Sequence, residues 1–151
     1  MLGGVSVGVS LFSFVVSVVK LAEAAFAARK VPTLAAEKPT EPPSGYPRLS
    51  VVVPARDEED GLEVSLGSVL NQDYPALEVV LVDDRSSDGT GRIMDHMASG
   101  RENVRVIHVE ELPEGWLGKS HAVYAGAELA DGEWLLFTDA DIRFREDAMR
   151  R

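Results

Sequence analysis

At 151 residues, 45% of them hydrophobic and 26% charged, the chain has room for one modest domain and is neither a disordered tail nor an all-membrane protein. Cysteine is absent, which excludes a disulfide framework, a thiolate metal site and a cysteine nucleophile. A net charge of -10 argues against nucleic acid as a partner.

The charge is unevenly placed. Residues 1–48 carry five basic and three acidic side chains, residues 49–151 ten basic and 22 acidic. Met1–Val19 has no charged side chain, and as a helix it would rise roughly 28 Å, close to the hydrocarbon thickness of a bilayer. Lys20, Arg29 and Lys30 follow it and no Lys or Arg precedes it, which by the positive-inside rule leaves the rest of the chain in the cytoplasm. The pattern predicts a transmembrane anchor and juxtamembrane helix over residues 1–30, a single pass at the cell (inner) membrane with the domain facing the cytoplasm. A cleaved signal peptide is the rival, since Ala25-Phe26-Ala27 has the small-x-small form, but no basic residue precedes the apolar core Leu11–Val19. A buried core helix is the third option, and such helices rarely run this far without a polar face. Five of the eight prolines (Pro32, Pro39, Pro42, Pro43 and Pro47) then mark residues 31–47 as an extended, semi-rigid linker.

From residue 48 onward short apolar runs alternate with helical patterns. Leu49–Val53 is a β-branched run stopped by Pro54. Leu62, Leu66, Val69 and Leu70 recur at helical spacing, and Glu78–Val82 is a second strand running into Asp83-Asp84. A helix from about Thr90 to Ala98 would bury Ile93, Met94 and Met97, and Val104–Val109 is a third strand. Ala122, Ala125, Gly126, Leu129 and Ala130 line one face of a helix from about Lys119, and Glu133–Thr138 supplies a fourth strand. Such alternation predicts an α/β domain, a mostly parallel, Rossmann-like sheet with helices on both faces and strands covered on both sides. Ligands of such sheets sit beyond the carboxyl ends of the strands, where polar residues gather here: Arg56-Asp57-Glu58-Glu59, Asp83-Asp84 and Asp139-Ala140-Asp141.

Asp139 and Asp141, one residue apart in an extended segment, point to the same side. With Asp83 and Asp84 on the same rim they repel one another unless protons or a cation intervene. A hard divalent ion, Mg²⁺ or Mn²⁺, relieves that repulsion and bridges to a diphosphate. Gly118 admits a close backbone approach, and Lys119 puts a cation beside a helix N-terminus, a fair cradle for phosphate. Each element alone has a plainer reading. Asp-x-Asp occurs in solvated loops, Ser87 and Asp88 suit an Asx or Ser turn before the next helix, acids at residues 57–60 suit a helix's first turn, Trp116 suits a hydrophobic plug, and His121 a packed helix position.

Taken together, Val51-Val52-Val53-Pro54-Ala55-Arg56-Asp57-Glu58-Glu59, Val82-Asp83-Asp84-Arg85-Ser86-Ser87-Asp88-Gly89-Thr90, Gly118-Lys119 and Phe137-Thr138-Asp139-Ala140-Asp141 resemble glycosyltransferase family 2, inverting sugar-nucleotide transferases of the GT-A fold. The run Leu112-Pro113-Glu114-Gly115-Trp116-Leu117-Gly118-Lys119 and the hydrophobic N-terminus resemble its hopanoid-biosynthesis-associated branch. The resemblance implies a nucleoside-diphosphate-sugar donor, a lipid or glycan acceptor and a divalent metal. It places Pro54, Ala55, Arg56 and Glu58 at the nucleotide base, Asp83 and Asp84 at uracil or ribose, Lys119 at the diphosphate, Asp139 at ribose and metal, and Asp141 at the metal. It also implies that residues 48–151 are the donor-binding, N-terminal part of such a domain, truncated before the acceptor half. The general base would lie beyond Arg151, in a completing chain or domain. A sugar-nucleotide-binding module without turnover, or an inactive fragment, is the alternative. A nucleotidyltransferase would open with a glycine-rich loop after the first strand, and a haloacid-dehalogenase-type phosphatase would place Asp-x-Asp there rather than after the fourth.

Overall fold

The computed structural model describes residues 2–28 and 38–151, with backbone only for residues 2–11. Met1–Lys38 and Pro39–Arg151 form two separate compact units. In the first, helix α1 spans Leu2–Ala28. Its helical state agrees with the expected anchor; its crossing of a membrane is not met. Among the described residues no helix is long and apolar enough to span a bilayer. Lys20 ends the uncharged run and pairs with Glu23 at 2.9 Å, which puts charge on the C-terminal third of the helix. The side chains of the remainder of the expected run, Met1–Leu11, lie outside the described residues, as does the 31–37 part of the expected linker. Of that linker, residues 38–47 contain no helix or strand, only a turn in which Gly45 (φ 78°) donates to the Pro42 carbonyl.

The second unit alternates as the pattern predicts: β1 (Leu49–Ala55), α2 (Leu62–Leu70), β2 (Leu77–Asp84), α3 (Thr90–Ala98), β3 (Val104–Val109), α4 (Gly118–Leu129) and β4 (Trp134–Phe137), ending in a 3-10 turn at Ala148–Arg150. The strands form one parallel sheet in the order β3-β2-β1-β4. Side chains alternate across it. Val51, Val53, Val79 and Leu81 meet Leu62, Leu66, Val69 and Met94 of α2 and α3 on one face, while Val52, Val80 and Val82 meet Ala122 of α4 on the other. Helix α4 lies close to the sheet, because a methyl group at Gly126 would overlap Val52 Cγ1 and come within 3.0 Å of Val82 Cγ2.

Two expectations are corrected. Pro54 does not stop β1, which continues to Ala55. The Val52 carbonyl accepts from the Thr138 N–H on the β4 side, so Pro54, two residues on, turns the same way. There β4 has already ended, its last partner pair being Val52 and Phe137, and the missing proline N–H breaks no ladder bond. Nor are all strands covered on both sides. β2 is buried almost throughout, but β3 and β4 form the two sheet edges, and on β4 Trp134 is 66% and Phe137 46% exposed.

Candidate functional site

Beyond the carboxyl ends of β1, β2 and β4 lies a cavity of about 440 Å³ lined by Pro54, Ala55, Arg56, Glu58, Asp84, Gly118, Lys119, Ala122, Asp139 and Asp141. Of the residues the resemblance assigns to the donor or the metal, all but Asp83 reach this wall. Asp83 and Asp84 are neighbours in a strand, so their side chains leave opposite faces of the sheet. Asp84 turns to the α4 face, where both its oxygens accept from Arg85, from Nε at 2.8 Å and from Nη2 at 3.1 Å. Asp83 turns toward α3 instead, accepting from the Ser86 N–H at 3.1 Å and meeting His108 Nδ1 at 2.9 Å. The expected common rim therefore holds Asp84, Asp139 and Asp141 without Asp83.

Gly118 opens α4 against this wall, since a Cβ there would fall 2.7 Å from Arg85 Nη2 and 2.8 Å from Asp84 Oδ2. A side chain there would have to push the ends of Arg85 and Asp84 aside. One residue on, Lys119 extends Nζ across the mouth to Asp139 Oδ1 at 2.6 Å. The contact with Asp139 holds the ammonium above its ordinary pKa, with further help from Asp141 and Glu58. Glu58 is pushed up, first by burial and then by Asp141 and Asp139, with Lys119 opposing. The mouth thus carries more negative charge than Lys119 neutralises. Asp139 and Asp141 share the wall as expected, but through a turn at residues 140–141 rather than an extended segment.

The donor chemistry fits a hard cation, since all the ligands on offer are carboxylate oxygens and their mutual repulsion is what such an ion relieves. Among the described residues no three His, Cys, Asp or Glu side chains converge closely enough to hold an ion unaided. An ion at Asp139 and Asp141 would complete its shell with water and phosphate oxygens, the habit of Mg²⁺.

Two loops shape the cavity by gripping each other. The Ser87 N–H donates to Asp57 Oδ1 at 2.6 Å and the Asp57 N–H to Ser86 Oγ at 3.0 Å. The Gly89 N–H donates to Glu59 Oε2 at 2.7 Å, the Glu59 N–H to Asp88 Oδ2 at 3.1 Å and the Glu58 N–H to Thr90 Oγ1 at 2.9 Å. Asp57 (φ 52°) and Arg85 (φ 59°) both sit in the left-handed region, a strain of ~1–2 kcal/mol each that such a network has to hold. Asp57 and Glu59 therefore pin one loop to the other, where the sequence suggested only a favourable helix dipole. The acids at 57–60 were the one signal, and their partners some thirty residues away were not visible in it. Asp88 does form the expected turn, accepting from the Thr90 N–H at 2.9 Å. Trp116, 39% exposed, packs against His121 (5.5 Å between centroids) and Tyr124 (5.2 Å), a half-docked plug on α4.

The profile of glycosyl transferase family 2 matches residues 50–151. The chain is 30% identical over 105 residues to the putative teichuronic acid biosynthesis glycosyltransferase TuaG of Bacillus subtilis, covering 70% of this chain and 40% of that protein. It is 35% identical over 103 residues to the 4,4'-diaponeurosporenoate glycosyltransferase of Staphylococcus aureus, covering 67% and 26%. Among solved structures it is similar to the mannosyltransferase PcManGT of Pyrobaculum calidifontis in complex with GDP-Man and Mn²⁺, with a TM-score of 0.64 and 32% identity over 86% of this chain and 37% of that one. It is also similar to Staphylococcus aureus TarS in complex with UDP-GlcNAc, with a TM-score of 0.58 and 31% identity over 68% and 29%. The chain spans 26–40% of the length of these two curated relatives.

Proposed function

The chain belongs to glycosyl transferase family 2, and from that premise we propose that its cavity binds the nucleoside-diphosphate sugar and divalent metal of an inverting, membrane-associated glycosyltransferase. The observation that carries this is the single wall on which Arg56, Glu58, Asp84, Lys119, Asp139 and Asp141 meet. Pro54, Ala55, Arg56 and Glu58 face the base, Asp84 the ribose, and Lys119 and Asp139 the diphosphate end. Asp83 serves the nucleotide through the turn it shapes and not by contact. PcManGT holds GDP-Man with Mn²⁺ and TarS holds UDP-GlcNAc, which supports a nucleotide sugar here without choosing its base or sugar.

Transfer breaks the anomeric C–O bond and leaves its electron pair on the departing diphosphate. Lys119 stabilises that growing charge most where it is largest, in the transition state. A divalent ion, when bound, supplies further positive charge there, and Asp139 and Asp141 are the residues that would hold it. Inversion requires a base for the acceptor hydroxyl on the opposite face, and none is assigned among the described residues. The acceptor is a lipid or glycan, in line with the two relatives, one named for teichuronic acid biosynthesis and one for diaponeurosporenoate.

Calorimetric titration of the chain with UDP and GDP, with and without Mn²⁺, tests donor binding. Binding of one of them that strengthens with Mn²⁺ is expected; indifference of both to the chain in the presence of Mn²⁺ would refute it. The uncharged run Met1–Val19 and the basic residues after it support attachment at the inner membrane with the domain in the cytoplasm. Deleting residues 1–38 should then move the protein from the membrane pellet to the supernatant on fractionation, and an unchanged distribution would count against the anchor.

A further inference from the structure

We propose that His108 is a positioning residue for the donor cavity: held between Asp83 and Asp95, its ring fixes the end of β2, which carries Asp84, and the turn after it, which carries Arg85. This rests on the donor-binding reading above and goes beyond it, because His108 does not line the cavity.

His108 sits at the end of the edge strand β3, in register with Asp83 of β2. Its Nδ1 lies 2.9 Å from Asp83 Oδ2 and its Nε2 lies 3.1 Å from Asp95 Oδ1 on α3. A neutral imidazole has one N–H and can donate to only one of two carboxylates; the imidazolium donates to both. The charged groups facing the ring are these two carboxylates, Asp83 from β2 and Asp95 from α3. A second observation comes from α3, where a Cβ at Gly91 would lie 2.5 Å from Asp83 Oδ2 and 3.2 Å from His108 Nδ1 and Cε1. A glycine at that position opens the space in which the two side chains meet.

From Asp83 the linkage runs into the cavity wall through hydrogen bonds. Asp83 Oδ1 accepts from the Ser86 N–H, closing the turn that holds Arg85 at φ 59°. Arg85 in turn clasps both oxygens of Asp84 on the cavity side, and Ser86 Oγ accepts from the Asp57 N–H of the neighbouring loop. Two adjacent carboxylates at a strand end are thereby each given a cation, Asp83 the imidazolium on one face and Asp84 the guanidinium on the other. The contact with Asp83 raises His108 above its ordinary pKa, burial opposes, and Asp95 adds to the rise. A raised folded pKa means that the stabilisation is complete below the unfolded value of about 6.5 and is lost as pH rises through the folded one. The turn loosens on the alkaline side.

The test is an NMR titration of the isotope-labelled full chain in detergent micelles, with UDP and GDP affinities measured in Mn²⁺ across the same pH range. The Arg85 and Ser86 amides should shift with the midpoint of the His108 ring, and affinity should fall at least about fivefold as the ring loses its proton, the low end of ordinary coupling between sites. His108→Gln, which keeps a donor but cannot titrate, should abolish both steps, while above the ring's midpoint its melting temperature stays near that of the parent. Gly91→Ala, which crowds the same contact from α3, should weaken nucleotide binding below the ring's midpoint as well. Amides that ignore the ring, or a pH step that survives in His108→Gln, would overturn the proposal while leaving donor binding intact. Amides that follow the ring in a chain that binds neither nucleotide at any pH would uphold the coupling and remove the donor reading.

Discussion

Replacing Asp141 with asparagine should weaken binding of a nucleoside diphosphate in the presence of Mn²⁺ by about tenfold or more, and leave metal-free binding nearly unchanged. The substitution keeps the volume and removes one charge from an exposed turn, so the fold has little to lose. Its neighbour differs. Asp139 Oδ1 is engaged by Lys119 at 2.6 Å, so Asp139→Asn disturbs the ammonium as well as the cation site and should lower affinity with and without metal. The magnitude follows from a contact between charged groups, worth ~1.5–3 kcal/mol, against the ~1.4 kcal/mol that makes one factor of ten. Glu58 offers an internal control. Its carboxyl is raised by burial and by Asp141 and Asp139, so removing the Asp141 charge should move it back toward its ordinary value. Affinity equal to the parent's in Mn²⁺ would take Asp141 out of the cation site.

The second large effect lies at the opposite end of the sheet. Glu78 is only 4% exposed, yet it is held from several sides. Ser50 Oγ and the Asp131 N–H donate to Oε2, the latter at 2.9 Å, Arg105 donates to Oε1, and Arg48 lies 3.6 Å from Oε1. The Gly132 N–H completes the cluster by donating to Ser50 Oγ at 2.8 Å. One side chain thus joins β1, β2, β3 and the loop entering β4. Glu78→Ala leaves the buried Ser50 hydroxyl and the Asp131 N–H without their acceptor, and a loss of ~2–4 kcal/mol is expected in urea unfolding. Arg48 and Arg105 are partly exposed and recover hydration, which keeps the figure below that of a fully buried pair.

The same residue sets a pH dependence. Burial alone would raise the Glu78 carboxyl, but the hydrogen bonds from Ser50, Asp131 and Arg105 and the Arg105 charge outweigh it, and the net shift is downward. A depressed carboxylate contributes stability that is present above the unfolded value of about 4.3 and lost as pH falls through the folded one. The parent should therefore lose stability below pH ~4 more steeply than Glu78→Gln, in which this position no longer titrates. Superimposable pH profiles for the two proteins would dismiss the charge as a source of stability.

Much of this architecture is written in local pattern. The repeat Leu62, Leu66, Val69, Leu70 could bury one face only as a helix, and β-branched Val51–Val53 and Val79–Val82 only as covered strands, so α2, β1 and β2 stand where periodicity puts them. The cavity wall was equally legible, because strand ends followed by acids converge in any parallel sheet. What the pattern does not carry is pairing across distance. Asp83 and Asp84 read as one acidic signal, yet strand alternation sends them to opposite faces. Nothing local to His108 or Glu78 announces partners 25 to 53 residues away. The edge position of β4 was hidden for a similar reason, since Trp134-Leu135-Leu136-Phe137 looks identical whether or not a neighbour covers it.

The reciprocal hydrogen bonds between residues 57–59 and 86–90 carry a consequence for how this pocket could diversify. Exchanging the segment after β1 alone for that of a relative would strand the Ser87 and Gly89 amides, and exchanging the segment after β2 alone would strand those of Asp57 and Glu59. The two segments form one unit, the smallest piece of this wall that could be transplanted without leaving those amides unpaired.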